Sequence, residues 1–124
     1  MTNNPFEKES LIFIDFDRTL CYYDKTMGRA EILGQPIPEM ANRVKKWIAQ
    51  GKEVVIFTAR VHPINKRHKE LGEKISNWCL EHLGKKLEVT CMKHPNMDFL
   101  IDDKAISILP NTGKVGSVID IDEI

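Results

Sequence analysis

Two carboxylates one residue apart, in Asp15-Phe16-Asp17-Arg18-Thr19, follow directly on the apolar run Leu11-Ile12-Phe13-Ile14. Four consecutive apolar residues read as a strand buried on both faces, the kind found inside a parallel sheet. Side chains alternate along a strand, so Asp15 and Asp17 share one side while Phe16 points to the other. A carboxylate pair at the carboxyl end of a buried strand stands where open α/β sheets bind their ligands. That placement is poor for stability and good for chemistry. The same pattern recurs. Val54-Val55-Ile56-Phe57 ends in Thr58, followed by Ala59 and Arg60, and Phe99-Leu100-Ile101 ends in the pair Asp102-Asp103. A weaker strand, Leu87 to Met92, is closed by Lys93. Each run ends in a side chain able to bind a phosphate or a metal, and the repetition says more than any single motif.

The elements that must position these residues follow from spacing. The first strand covers about 11–17 and the second about 53–58, with a loop from Thr19 to Pro38 punctuated by Gly28, Gly34 and Pro36. Pro38 suits the first position of a helix, Glu39 its first turn, and Met40, Val44, Trp47 and Ile48 fall at helical spacing before Gly51. A second helix fits 63–83, where Ile64, His68, Leu71, Ile75, Trp78 and His82 recur at steps of four and three before Gly84. Lys93 to Asp98 is too short for a helical crossover. Fully extended it spans roughly 20 Å, which predicts a link to the far side of the first strand. Ala105 to Leu109 reads as a fifth strand, Pro110-Asn111-Thr112-Gly113 as a turn, 117–124 as a strand or frayed tail, and 1–10 as a polar lead-in. The fold class expected is a single Rossmann-like, three-layer α/β domain over 1–124. Its sheet is mostly parallel, with about five strands and no cap domain.

Composition narrows the classes of function. A chain of 124 residues with 42% hydrophobic content has room for one core. Its formal net charge is zero, so no global field attracts long nucleic acid or an anionic membrane. Lys66, Arg67, Lys69, Lys85 and Lys86 read as solvated helical faces. No apolar stretch reaches membrane-spanning length and no signal-peptide pattern opens the chain. Cys21, Cys79 and Cys91 are odd in number and lack metal-ligand spacing, which suits reduced thiols in a cytoplasmic protein. His62, His68, His82 and His94 are too dispersed for a metal cluster, with His68 and His82 expected at the margin of the second helix's inner stripe. Tyr22 and Tyr23 read as packing residues near the mouth of the site, and Asp120-Ile121-Asp122 as tail.

Asp15-Phe16-Asp17-Arg18-Thr19, Thr58, Lys93 and Asp102-Asp103, in that order, resemble the four ordered motifs of the haloacid dehalogenase superfamily. The resemblance runs from about Leu11 to Asn111. Gly34-Gln35-Pro36-Ile37-Pro38, Gly51 to Arg60, and Ile101-Asp102-Asp103-Lys104-Ala105 are similar to its small phage-type or bacterial members. The resemblance implies a phosphohydrolase with Asp15 as nucleophile and Asp17 as acid and base, its carboxyl raised when substrate binds. It implies metal ligands in the Asp15 and Asp102 carboxylates and the Asp17 carbonyl, with Asp103 binding directly or through water. Thr58 would give the phosphate a hydroxyl and a backbone donor, Lys93 a point charge, and Arg60 either a phosphate contact or a surface ion pair. Two like charges ~5 Å apart cost about 3 kcal/mol at an effective dielectric of 20. Several such pairs meet here, so a hard cation is required, and Mg²⁺ suits few carboxylates plus phosphate.

Two departures stand out. Arg18 replaces the glycine usual after the second acid, and no cap domain is inserted. An open site leaves a large substrate or a neighbouring subunit of a homo-oligomer to cover it. The substrate expected is a small phosphorylated metabolite such as a sugar phosphate or nucleotide. Alternatives are the phosphorylated end of a nucleic acid, or a non-catalytic Mg²⁺- and phosphate-binding module. A phospho-acceptor receiver domain shares the length and chemistry but needs an acceptor Asp closing a middle strand. The order of residues here excludes it.

Overall fold

The computed structural model describes residues 11–27 and 32–124, so the expected lead-in at 1–10 and Gly28 lie outside the described residues. Four strands, β1 (Leu11–Asp15), β2 (Glu53–Phe57), β3 (Glu88–Thr90) and β4 (Met97–Ile101), form one sheet. Its order is β3-β2-β1-β4, with each neighbouring pair parallel. Helices α1 (Pro38–Ala49) and α2 (His68–Leu83) connect β1 to β2 and β2 to β3. The fold is therefore α/β and Rossmann-like, with four strands where about five were expected. Ala105 to Leu109 contributes only an isolated antiparallel bridge, Ile108 to Val115, around a turn with Asn111 and Gly113 at positive φ.

The third layer expected from the sequence is not supplied by a helix among the described residues. Buried residues of both helices, among them Val44, Trp47, Ile75 and Trp78, join one cluster with Ile12, Ile14, Val54 and Ile56. Leu11, Phe13 and Val55 form a separate cluster with Phe57, Met97 and Leu100. The reason is handedness. β1, β2 and β3 step the same way across the sheet, and right-handed crossovers then place both helices on one face. The step that would cover the other face, from β3 back across to β4, is the short link 91–96 and carries no helix. As the length of that link predicted, β4 lies on the far side of β1.

Element ends differ from expectation where local hydrogen bonds compete. α1 begins at Pro38 as predicted, and α2 stops at Gly84, whose φ of 85° is left-handed and suits glycine. α2 starts at His68 rather than 63. Asn65 Oδ1 accepts from the Arg67 N–H at 2.9 Å, a local turn that displaces the first helical turn and leaves Ile64 86% exposed. β1 ends at Asp15, yet parity holds, because Phe16 is fully buried and packs edge-on against Trp78 at 4.9 Å. His82 packs its ring, tilted by 55°, against the same Trp78 at 4.7 Å, the packed role expected of it. The segment 117–124 is neither strand nor frayed. It closes in a short 3₁₀ turn, Ile121–Glu123, tied to α1 by Arg43 Nε donating to Asp122 at 3.1 Å.

The loop between β1 and α1 folds back on itself. The Tyr22 N–H donates to Gln35 O and the Ile37 N–H to Leu20 O, both at 2.8 Å. Gly34 stands where a Cβ would lie 2.0 Å from Tyr22 O, and its own carbonyl accepts from Trp78 Nε1 at 2.9 Å. Backbone approach this close admits only glycine.

The pairing of β1 with β4 contains a bulge. Leu11 pairs with Met97 but Ile12 pairs with Phe99, so Asp98 is the additional residue. Its carboxylate accepts the Leu11 N–H at 2.7 Å. Beyond the bulge Ile14 pairs with Ile101, which sets Asp102 level with Asp15. Replacing the carboxylate by a methyl group leaves the N–H without that charged acceptor. We expect Asp98→Ala to cost about 1–2 kcal/mol, read as a fall of about 4–8 °C in Tm by thermal unfolding. Gly34→Ala should cost more, because the added methyl meets the Tyr22 backbone, which cannot retreat without disturbing the Tyr22 N–H bond to Gln35 O.

Candidate functional site

Strand ends build the site. β1 delivers Asp15, the next residue after β2 is Thr58, and the next after β4 is Asp102. Register makes these three near neighbours, since Asp15 pairs with Phe57 and Ile14 with Ile101. The point where the chain departs to either side of β1 is the topological switch of the sheet. Carboxylate oxygens of Asp15, Asp102 and Asp103 lie within 4.8 Å of one another there. Asp15, Asp17, Thr58, Arg60 and Asp102 also line one cleft of about 620 Å³.

Burial pushes the Asp15 carboxyl up to about 7, reinforced by its hydrogen bond with Asp103 and by the charge of Asp102. The Thr19 hydroxyl opposes this by donating to Asp15 Oδ2 at 3.1 Å. A perturbed carboxyl in a cleft, among other acids, makes Asp15 the candidate reactive group of the site. The Lys104 N–H donates to Asp102 Oδ1 at 2.9 Å and holds that carboxylate toward the cluster.

Asp17 is held separately. Arg60 Nε donates to Asp17 Oδ2 and Arg60 Nη2 to Oδ1, both at 2.7 Å, a bidentate pair. The Arg60 side chain is only 8% exposed, its Nη1 donates to Ile32 O at 3.0 Å, and its guanidinium lies 5.6 Å over the Tyr23 ring. Arg60 thus works as a clamp that joins the loop to the site, and a phosphate contact through it requires breaking that pair. Tyr23 serves the clamp as well as the mouth.

Thr58 is 3% exposed, and its Oγ1 accepts from the Arg60 N–H at 3.2 Å, leaving the hydroxyl proton to point elsewhere. Its backbone N–H donates to Thr90 O at 2.8 Å. Of the two donors expected of Thr58, the hydroxyl proton is left over, whereas the backbone donor is already used in the sheet.

Lys93 is exposed in the link between β3 and β4 and does not line the cleft. Two lysines the sequence reading passed over do line it, Lys25 and Lys104. Lys104 carried a signal, its adjacency to Asp102-Asp103. Lys25 carried none, since a lone loop lysine looks like any other. Arg18 adopts φ of 69°, the left-handed region, and its Nε lies 3.4 Å from Asp103 Oδ2. Its side chain therefore takes up one of the acids while its backbone makes the turn usual for glycine. The three cysteines are free.

No protein-family model matches the chain, and no curated protein matches it. A solved structure, that of a conserved protein from Bacteroides thetaiotaomicron, is similar over 82% of this chain and 81% of that one. The TM-score is 0.55 at 19% sequence identity, a likeness of fold. No described helix is long and apolar enough to cross a membrane.

The raised Asp15 carboxyl carries a stability cost of definite sign. The folded chain holds its proton up to about 7 and the unfolded chain only to 3.8. Stability therefore falls as pH rises through that window, and above it the penalty is fully present. In chelator at pH 8, Asp15→Asn should raise Tm by about 4–8 °C, equivalent to about 1–2 kcal/mol after solvent screening. At pH 4 the two proteins should melt together. Equal melting at both pH values would show that Asp15 is not strained.

Proposed function

We propose that this chain is a Mg²⁺-dependent phosphohydrolase that works through an aspartyl-phosphate on Asp15. Its substrate is a small phosphorylated metabolite, such as a sugar phosphate or nucleotide. The observation that supports this reading most is the convergence of Asp15, Asp102 and Asp103 within 4.8 Å, beside the cleft that Asp15, Asp17, Thr58 and Asp102 line.

Three carboxylates on adjacent strand ends, one of them driven toward neutrality, fit a hard divalent ion. Asp15, Asp102 and Asp103 would hold Mg²⁺, which when bound neutralises the acids and offsets the charge of the phosphate. The remaining steps belong to the chain. One Asp15 oxygen attacks phosphorus and the bond from phosphorus to the leaving alkoxide breaks. The Thr19 hydroxyl, donating to Asp15 Oδ2, restricts how that carboxylate can turn. Asp17, once it has released one Arg60 bond and taken up a proton from solvent, gives that proton to the alkoxide, then takes one from the water that hydrolyses the aspartyl-phosphate. Inorganic phosphate leaves and the Asp15 carboxylate is restored.

Arg60 determines how Asp17 is presented. Both Asp17 oxygens accept from the guanidinium in the resting protein, so proton delivery exchanges one of those bonds for the leaving oxygen of the substrate. Arg60 is thus a positioning residue. The Thr58 hydroxyl is free to donate to the phosphate, held in place by the Arg60 N–H.

Phosphate release from an aryl phosphate, sugar phosphates and nucleotides, with and without Mg²⁺, tests the reading. Release should depend on the metal and fall more than about 10³-fold in Asp15→Asn. Arg60→Lys, which keeps the charge but loses the fork, should lower kcat by about 10–100-fold with KM nearly unchanged. No release from any substrate, with Mg²⁺ still bound, would return the chain to a non-catalytic binding module.

A further inference from the structure

Among the described residues four cations line the cleft, and they fall into two kinds. Arg60 is paired with Asp17, and Arg18 faces Asp103 at 3.4 Å. Lys25, in the 3₁₀ turn Lys25–Met27, and Lys104, just beyond β4, form no ion pair among the described residues, and both are exposed. They come from loops on separate segments, one before α1 and one after the last strand, yet border the same cavity. Lys93, the lysine that the motif order assigns to phosphate, lies outside it.

From this arrangement we infer that Lys25 and Lys104 are the residues that hold the phosphate dianion, in place of Lys93. The inference deepens the phosphohydrolase reading and rests on it for the role of the bound phosphate. Lysine suits the task, since its ammonium is a mobile point charge that needs no fixed approach angle. Two unpaired ammonium groups match one dianion. Among the described residues the other two cations of the cleft, Arg18 and Arg60, already face Asp103 and Asp17, so the two lysines are the charges offered to one phosphate. The substrate class these two charges fit is a monophosphate ester whose remaining part is uncharged. The cleft volume of about 620 Å³ leaves room for that part, being within the size range of sites that enclose whole small molecules.

The test measures binding of inorganic phosphate by titration calorimetry, in Mg²⁺ and without turnover, to the full chain and to Lys25→Ala, Lys104→Ala and Lys93→Ala. Both cleft variants should weaken binding about tenfold or more and flatten its salt dependence, with Lys→Arg at each position recovering most of the loss. Lys93→Ala should weaken it less than either. A larger loss in Lys93→Ala, unchanged binding in both cleft variants, or no phosphate binding by the unmodified chain would overturn the assignment. Kinetics supply the second arm, with a nucleoside monophosphate compared against its 3′,5′-bisphosphate. The two should have similar kcat/KM, and an advantage above tenfold for the bisphosphate would overturn the substrate class. If no ester is hydrolysed while the cleft variants still lose phosphate, the hydrolase reading falls and the lysine assignment stands.

Discussion

Everything at the site depends on the register of β1 against both of its neighbours. A parallel sheet brings strand ends to one edge, but only a specific register brings chosen side chains level there. The bulge at Asp98 sets that register on the β4 side. A ladder continued from Leu11 and Met97 without it would pair Ile12 with Asp98 and reverse which faces the β4 side chains take. Asp102 would then stand one step beyond Asp15. One additional residue, held by one carboxylate-to-backbone hydrogen bond, brings the acids together.

Having met, the acids repel, and the structure answers the repulsion differently for each. Asp17 is satisfied outright by Arg60, and Asp103 is faced by Arg18. Asp15 is left with a hydroxyl and the burial that raises its carboxyl. The cost is borne by the core beneath it, where Ile12, Ile14 and Phe16 are fully buried under two helices on one face of the sheet. Strain is thus confined to one residue and its immediate neighbours. Arg60 ties Asp17 to the rest of the chain, because the same side chain reaches Asp17, Ile32 and the Tyr23 ring.

Much of this was legible in the sequence, for identifiable reasons. Apolar runs that end abruptly in acids or Thr58 name the strands and their chemical ends together, since periodicity and polarity change at one residue. Pro38 and Gly84 mark helix ends because their backbone preferences are strong. Other features depend on contacts that no local pattern encodes. The bulge is invisible because Asp98 looks like an ordinary polar residue at a strand entrance. The start of α2 fails because the apolar repeat at Ile64 continues into a segment whose backbone groups are captured by Asn65. Lys93 does not line the cleft, because motif order fixes sequence position, while its place in space depends on a link whose course only packing decides. The packing of both described helices on one face could have been anticipated. Three strands stepping one way, followed by a link too short for a helix, already imply helices on one face.

Arg18 has a consequence for how this chain can vary. Its φ of 69° is a conformation in which glycine sits freely and a side chain does not, at a cost of about 1–2 kcal/mol. Stability alone would favour glycine at this position, and every β-branched residue would be worse than the arginine present. The substitution that relaxes the turn is also the one that removes the guanidinium facing Asp103. Selection for thermal robustness and selection for a neutralised acid cluster therefore pull this position in opposite directions. A chain evolved for stability would lose its arginine here, and with it one counter-charge at the site.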